Sequence, residues 1–170
     1  MSHSISKSLL PEFDHEMANT RKVLDRVPEG VGTFAPHEKS MPLARLAGHV
    51  TEMPTLAILT LSHVDLDLAA ANGTRLIEWY HFTSRKEAID RFDKDVVKAR
   101  ELLAAATDEQ MGAGFTLRAG SHVVFTLPRA VAWRGFVMSH MIHHRAQLGV
   151  YLRLNNVAVP GLYGPSADEQ

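Results

Sequence analysis

The sequence predicts an all-α fold, a four-helix bundle with a small β-hairpin inserted before the last long helix. Three observations predict it. Four long segments repeat apolar residues at three- and four-residue steps. The connectors between them carry proline and glycine turn chemistry. One stretch only, 115–127, has the β-prone character of a hairpin. With 170 residues and 45% hydrophobic composition, the chain suits a single domain spanning 1–170.

The first helix is expected over Ser6 to Val27. Leu9, Leu10, Phe13, Met17, Thr20, Val23, Leu24 and Val27 form its apolar stripe, and Pro28, Gly30 and Gly32 stop it. The second begins in "SMPLARLAGHV", with Ser40 as cap and Pro42 in the first turn, and ends at His63. Leu43, Leu46, Val50, Met53 and Leu56 form its face. Pro54 lies inside the pattern and should kink or split the helix near Glu52. "DLDLAAANGTRL" reads as a loop with an Asn72-Gly73 turn. Ser84-x-x-Glu87 is a capping box that opens the third helix, which continues to Ala106. In "FTLRAGSHVVFTL" two strand-like runs flank Ala119-Gly120-Ser121. The fourth helix should start at Pro128, with Thr126 as a cap, and run to Leu154. The tail "NNVAVPGLYGPSADEQ" has no helical period.

Composition narrows the chemistry. Lys and Arg number 18 against 19 Asp and Glu, so there is no basic stripe and no nucleic-acid partner is expected. There is no cysteine, which excludes disulfides, thiolate metal sites and a protein thiol nucleophile. The opening "MSHSISKSLL" lacks the pattern of a secretory signal. The longest apolar run, "PTLAILTL", is too short to span a bilayer. A soluble cytoplasmic protein without a membrane partner is the expectation.

The fourth helix holds His140-x-x-His143-His144. Residues four apart share a helix face, so His140 and His144 project together, while His143 is turned by roughly 100 degrees from His144. Two imidazoles on successive turns can chelate one ion. The His-Glu-x-x-His protease motif is absent, because Met141 stands where its glutamate would be. The bare spacing also fits ordinary surface or hydrogen-bonded core histidines. His49, in the apolar segment "LARLAGHVTEMP", reads alone as a core histidine. Facing the pair across the bundle, it would complete a three-histidine site with a position open for water or substrate. Glu52 follows three residues later, as a partner of His49, a general base or an exposed carboxylate beside the Pro54 kink. Arg145 is a candidate for holding an anionic substrate or forming an ion pair. Tyr151 is a candidate for lining the pocket or filling core.

These residues resemble the DinB/YfiT-like metalloenzyme family. "KSMPLARLAGHVTEMP" resembles its second-helix segment. "SHMIHHRAQLGVYLR" resembles its His-x-x-His-His-Arg-Gly-Gln segment, with Ala146 in place of the usual glycine. "FTLPRAVAWR" resembles the entry to the last helix and "VPGLYGPSADE" the tail of one branch. The resemblance implies His49, His140 and His144 as ligands of one divalent metal and a bundle that is often a homodimer. It also implies use of a low-molecular-weight thiol, as in thiol S-transferases and thiol-dependent isomerases. Zinc or nickel suits nitrogen ligands. The expected function is therefore a metal-dependent enzyme that activates a thiol or water against a small-molecule substrate. The competing functions are a metal-dependent hydrolase and a non-catalytic metal-binding stress or damage-response bundle.

Overall fold

The computed structural model describes residues 4–30, 32–69, 76–77 and 79–169. The chain is mostly helical, with one three-stranded sheet. In order the elements are α1 (Ile5–Leu24), α2 (Leu43–Thr51), α3 (Met53–Ser62), β1 (Asp65–Asp67), α4 (Arg85–Ala105), α5 (Asp108–Gly112), β2 (Gly114–Ala119), β3 (His122–Pro128), α6 (Arg129–Ala132), a π-helical segment (Trp133–Ser139) and α7 (His140–Leu154). Among the described residues no helix is long and apolar enough to cross a membrane.

The Ser4 hydroxyl caps α1 by accepting from the Lys7 N–H at 3.3 Å. Leu9, Phe13, Met17, Thr20, Val23 and Leu24 are buried, as the stripe requires. Glu16 and Asn19 are buried as well, which an amphipathic pattern does not announce. Helix α1 packs on α4 and α7, α2 on α7, and α3 on α4 and the π-helical segment. Phe13 and Trp133 meet in the core with ring centroids 5.5 Å apart.

The second helical run starts later than the Ser40 cap suggests. Leu43 is its first residue, Pro42 caps it, and the Ser40 N–H is used in a turn to the His37 carbonyl at 2.9 Å. The break falls at Glu52, between α2 and α3, with Pro54 in the first turn of α3. Proline has no N–H to give to the carbonyl four residues back, so the α2 ladder ends there. Its N-terminal position in α3 costs nothing.

Helix α4 is capped by Ser84, which accepts from the Glu87 N–H at 3.2 Å. Only this half of the expected box forms, because the Glu87 carboxylate takes the Thr83 hydroxyl instead. A complete box appears at α5, between Thr107 and Gln110.

The hairpin is antiparallel, with Gly120 at φ 62° in the turn and a bulge between Leu117 and Arg118. A third strand joins it from the segment expected to be loop: β1 runs parallel to β2, giving the order β1-β2-β3. Leu66 is fully buried between two aspartates that bind Arg118, Asp65 at 2.9 Å and Asp67 at 2.6 Å. The alternation is that of a strand, but aspartate is a poor strand former in isolation, and pairing with β2 overrides it. The expected Asn72-Gly73 turn lies outside the described residues.

The last helical run starts at Arg129 rather than Pro128. Thr126 stays in the sheet, with its hydroxyl 2.9 Å from that of Thr116, so it caps nothing. Arg129 is buried and donates to the carbonyls of Thr60 (2.8 Å), His63 (3.0 Å) and Gln110. Its guanidinium thus neutralises the C-terminal end of α3.

Candidate metal centre

Three imidazoles converge where α2 meets α7. His49 comes from the buried face of α2 and is 8% exposed, while His140 and His144 come from successive turns of α7 and are half-buried. One nitrogen from each ring lies within 4.8 Å of the others. The ring centroids are 5.0 Å apart for His49 and His140, 4.6 Å for His49 and His144, and 4.7 Å for His140 and His144. His143 is exposed and turned out of this group.

The far nitrogens show how the rings are aimed. His49 Nδ1 lies 3.3 Å from Glu52 Oε2. A carboxylate only accepts, so His49 donates from Nδ1 and turns Nε2 inward. His144 Nδ1 donates to Gln147 Oε1 at 2.8 Å, with the same consequence. His140 is different. Its Nε2 is 3.2 Å from His49 Nε2, and its buried Nδ1 has no hydrogen-bond partner. The Phe136 carbonyl on that side favours the protonated ring without reaching hydrogen-bond geometry.

Burial, reinforced by the nearby His49 ring, holds the pKa of His140 below the ordinary imidazole value and brings that of His144 down to about 4. Both rings are therefore neutral at physiological pH, the form that ligates metals. Three imidazoles on two elements, two of them oriented through their far nitrogens, fit a divalent cation and could hold one.

Glu52 stands at the α2/α3 break, where its side chain is fully buried. One oxygen accepts the Tyr80 N–H; the other faces His49 Nδ1 and, at 3.5 Å, Arg45. Arg145 points away from the histidines. Buried at 1% exposure, it binds Glu16 Oε2 at 2.6 Å, the Glu16 carbonyl at 3.0 Å, the Thr20 hydroxyl at 3.1 Å and the Tyr163 hydroxyl. Tyr151 is buried, donates to the Met41 carbonyl at 3.1 Å and packs edge-on against Phe34. Of the sequence's candidates, the structure brings Glu52 to the histidines and places Arg145 and Tyr151 in these other contacts. Gln147 also reaches the histidines, through His144. Its signal was the same three-residue spacing that relates Glu52 to His49.

The chain is thus a small, mostly helical protein with a three-histidine group that could hold a metal ion. The chain is a member of the DinB superfamily, whose family profile matches residues 12–148. It is similar in fold to a DinB-like protein from Bacillus cereus ATCC 10987, with a TM-score of 0.69 and 22% identity over 96% of this chain and 100% of that one. It is also similar to a DinB-like protein from Bacillus subtilis, with a TM-score of 0.66 and 16% identity over 94% of this chain and 99% of that one. No curated protein matches it.

Proposed function

We propose that this chain is a divalent-metal-dependent enzyme, with His49, His140 and His144 as ligands, that activates a low-molecular-weight thiol for attack on a small electrophile. One observation carries the reading: three imidazoles converge, and the far nitrogens of two are tied to Glu52 and Gln147. A cation held there supplies a positive charge that favours loss of a proton from a thiol or water beside it. Zinc or nickel suits this all-nitrogen set.

The protein's own residues do the rest. Glu52 and Gln147 fix two tautomers and ring orientations. Glu52 acts as a positioning residue rather than as a base, because its oxygens are engaged by the Tyr80 N–H and His49. The half-buried Phe136, stacked 5.9 Å from His140, shields one side of the site from water. In the reaction the sulfur bonds to the electrophilic carbon, its proton passes to solvent, and the leaving group departs with the bonding pair.

We also read the helical runs as one four-helix bundle domain, counting α2 with α3 and α6 through α7 as single rods. We propose a homodimer on the ground of the family, with a dimer expected in sedimentation at micromolar concentration and a monomer alone counting against it.

The test of function is to load the protein with zinc or nickel, add a panel of low-molecular-weight thiols, and follow conjugation to an electrophile. Metal-dependent and thiol-dependent conjugation is expected. Hydrolysis that needs no thiol would assign a water nucleophile instead. Neither activity in a metal-loaded protein would leave a non-catalytic metal-binding bundle.

A further inference from the structure

Two aromatic side chains flank the histidine group from opposite ends. On the α2 side, Trp79 lies against His49 with centroids 6.2 Å apart. The backbone around it is held down at three points. The Tyr80 N–H is taken by Glu52, the Phe82 N–H reaches the Ala44 carbonyl at 3.4 Å, and the Tyr80 carbonyl sits directly over Gly48. A Cβ at Gly48 would overlap that carbonyl oxygen, so the close approach depends on glycine next to His49.

On the α7 side, Phe136 stacks on His140 at 5.9 Å with an interplanar angle of 27°. Phe125 from β3 and Phe115 from β2 back it, at 5.8 and 6.4 Å. Phe115 is fully buried, whereas Phe125, Phe136 and Trp79 keep part of their surface. His140 and His144 are likewise half-buried, so part of the group reaches solvent beside Phe136 and beside Trp79, whose ring also carries the Arg45 guanidinium at 5.2 Å.

A flat apolar surface in partial contact with water gains by covering itself with another one. Placed on either side of three metal-type nitrogens, these surfaces select what can approach. We propose that the site takes a substrate whose reacting centre is joined to a flat apolar group, aryl or conjugated, and that Trp79 and Phe136 bind that group as specificity-determining residues. This rests on the metal reading above, and it adds the substrate class.

The test uses cobalt-loaded protein, whose visible spectrum reports ligand binding. Cobalt content is measured first by elemental analysis. Acetohydroxamate and benzohydroxamate then serve as probes, because they share one metal-binding group and differ by a phenyl ring. Benzohydroxamate should bind about tenfold more tightly. Trp79→Leu and Phe136→Leu keep an apolar side chain without the flat face. Each should cut that ratio severalfold, the two affinities being compared within the same variant at its measured cobalt content. Equal affinities in the native protein, or an undiminished ratio in both variants, would overturn the inference while leaving the metal reading intact. A native protein that holds no cobalt overturns the metal reading and this inference with it. Should one variant fail to fold, as seen by circular dichroism, the other decides.

Discussion

His144 and Arg145 are consecutive residues of α7, yet they enter two buried polar clusters of opposite design. Arg145 turns toward α1, where Glu16, Thr20 and Tyr163 meet its two terminal guanidinium nitrogens. Tyr163 in turn donates to Glu16 at 2.7 Å, which fastens the C-terminal tail to the first helix. Donors and acceptors there match one another. His144 turns toward α2, where three imidazoles present nitrogens to each other and His140 Nδ1 has no partner at all. Buried polar groups cost free energy unless they are paired. The first cluster is complete as protein and serves the fold. The second gathers three nitrogens that could hold a cation, and it is where the proposed function resides.

The largest expected effect lies in the complete cluster. Glu16→Ala strands the Arg145 guanidinium in the interior and should cost about 3–5 kcal/mol in denaturant unfolding. Metal bound per folded molecule should stay the same. A loss of metal without a loss of stability would erase the contrast between the clusters.

At the histidine end, Glu52→Gln keeps the shape but weakens the hold on the His49 tautomer. Metal affinity should fall by about 10- to 100-fold, measured by competition with a chelator.

The clusters should also separate on the pH axis. Burial lowers the pKa of His144 to about 4, against 6.5 in the unfolded chain. Between these values the unfolded chain holds more protons, so the stability of the metal-free protein falls as pH drops from about 6.5 to about 4. Below that it levels off. After discounting for solvent that reaches the half-buried ring, the contribution is on the order of 1–2 kcal/mol. The tail behaves differently. Asp168, held by Arg153 and the Val159 N–H, has its carboxyl brought down to about 2 from 3.8. Its contribution is full above the unfolded value and is lost only as pH falls through about 2. Urea midpoints across this range should show the first loss reduced in His144→Ala and the second reduced in Asp168→Asn.

Tyr163→Phe is the mildest change. It removes one hydroxyl shared by Arg145 and Glu16 and should cost about 1 kcal/mol, read as a small drop in the unfolding midpoint.

The two clusters also differ in how plainly the sequence wrote them. The pair His140 and His144 was legible because a four-residue spacing places two side chains on one helix face whatever surrounds them. The split at Glu52 was legible because proline's missing N–H acts locally. The stripe of α1 followed from its period. The partners of Arg145 were hidden, since Glu16 is a charged residue in an amphipathic helix 129 positions away and Tyr163 lies in an aperiodic tail. The seven-residue π-helical segment that leads into His140 was hidden too. Nothing in "WRGFVMS" separates it from α-helix, because its widened hydrogen bonding depends on packing against the sheet and α3. Strand β1 was masked by its aspartates, whose cost is offset by Arg118 from the neighbouring strand.

The most direct test of the histidine centre is elemental analysis of metal in four purified variants, His49→Ala, His140→Ala, His143→Ala and His144→Ala, each loaded with zinc or nickel and checked for folding by circular dichroism. His49→Ala, His140→Ala and His144→Ala should lose most of their metal, and His143→Ala, whose exposed ring is outside the group, should keep it. Equal retention in all four, or selective loss in His143→Ala, would contradict the assignment.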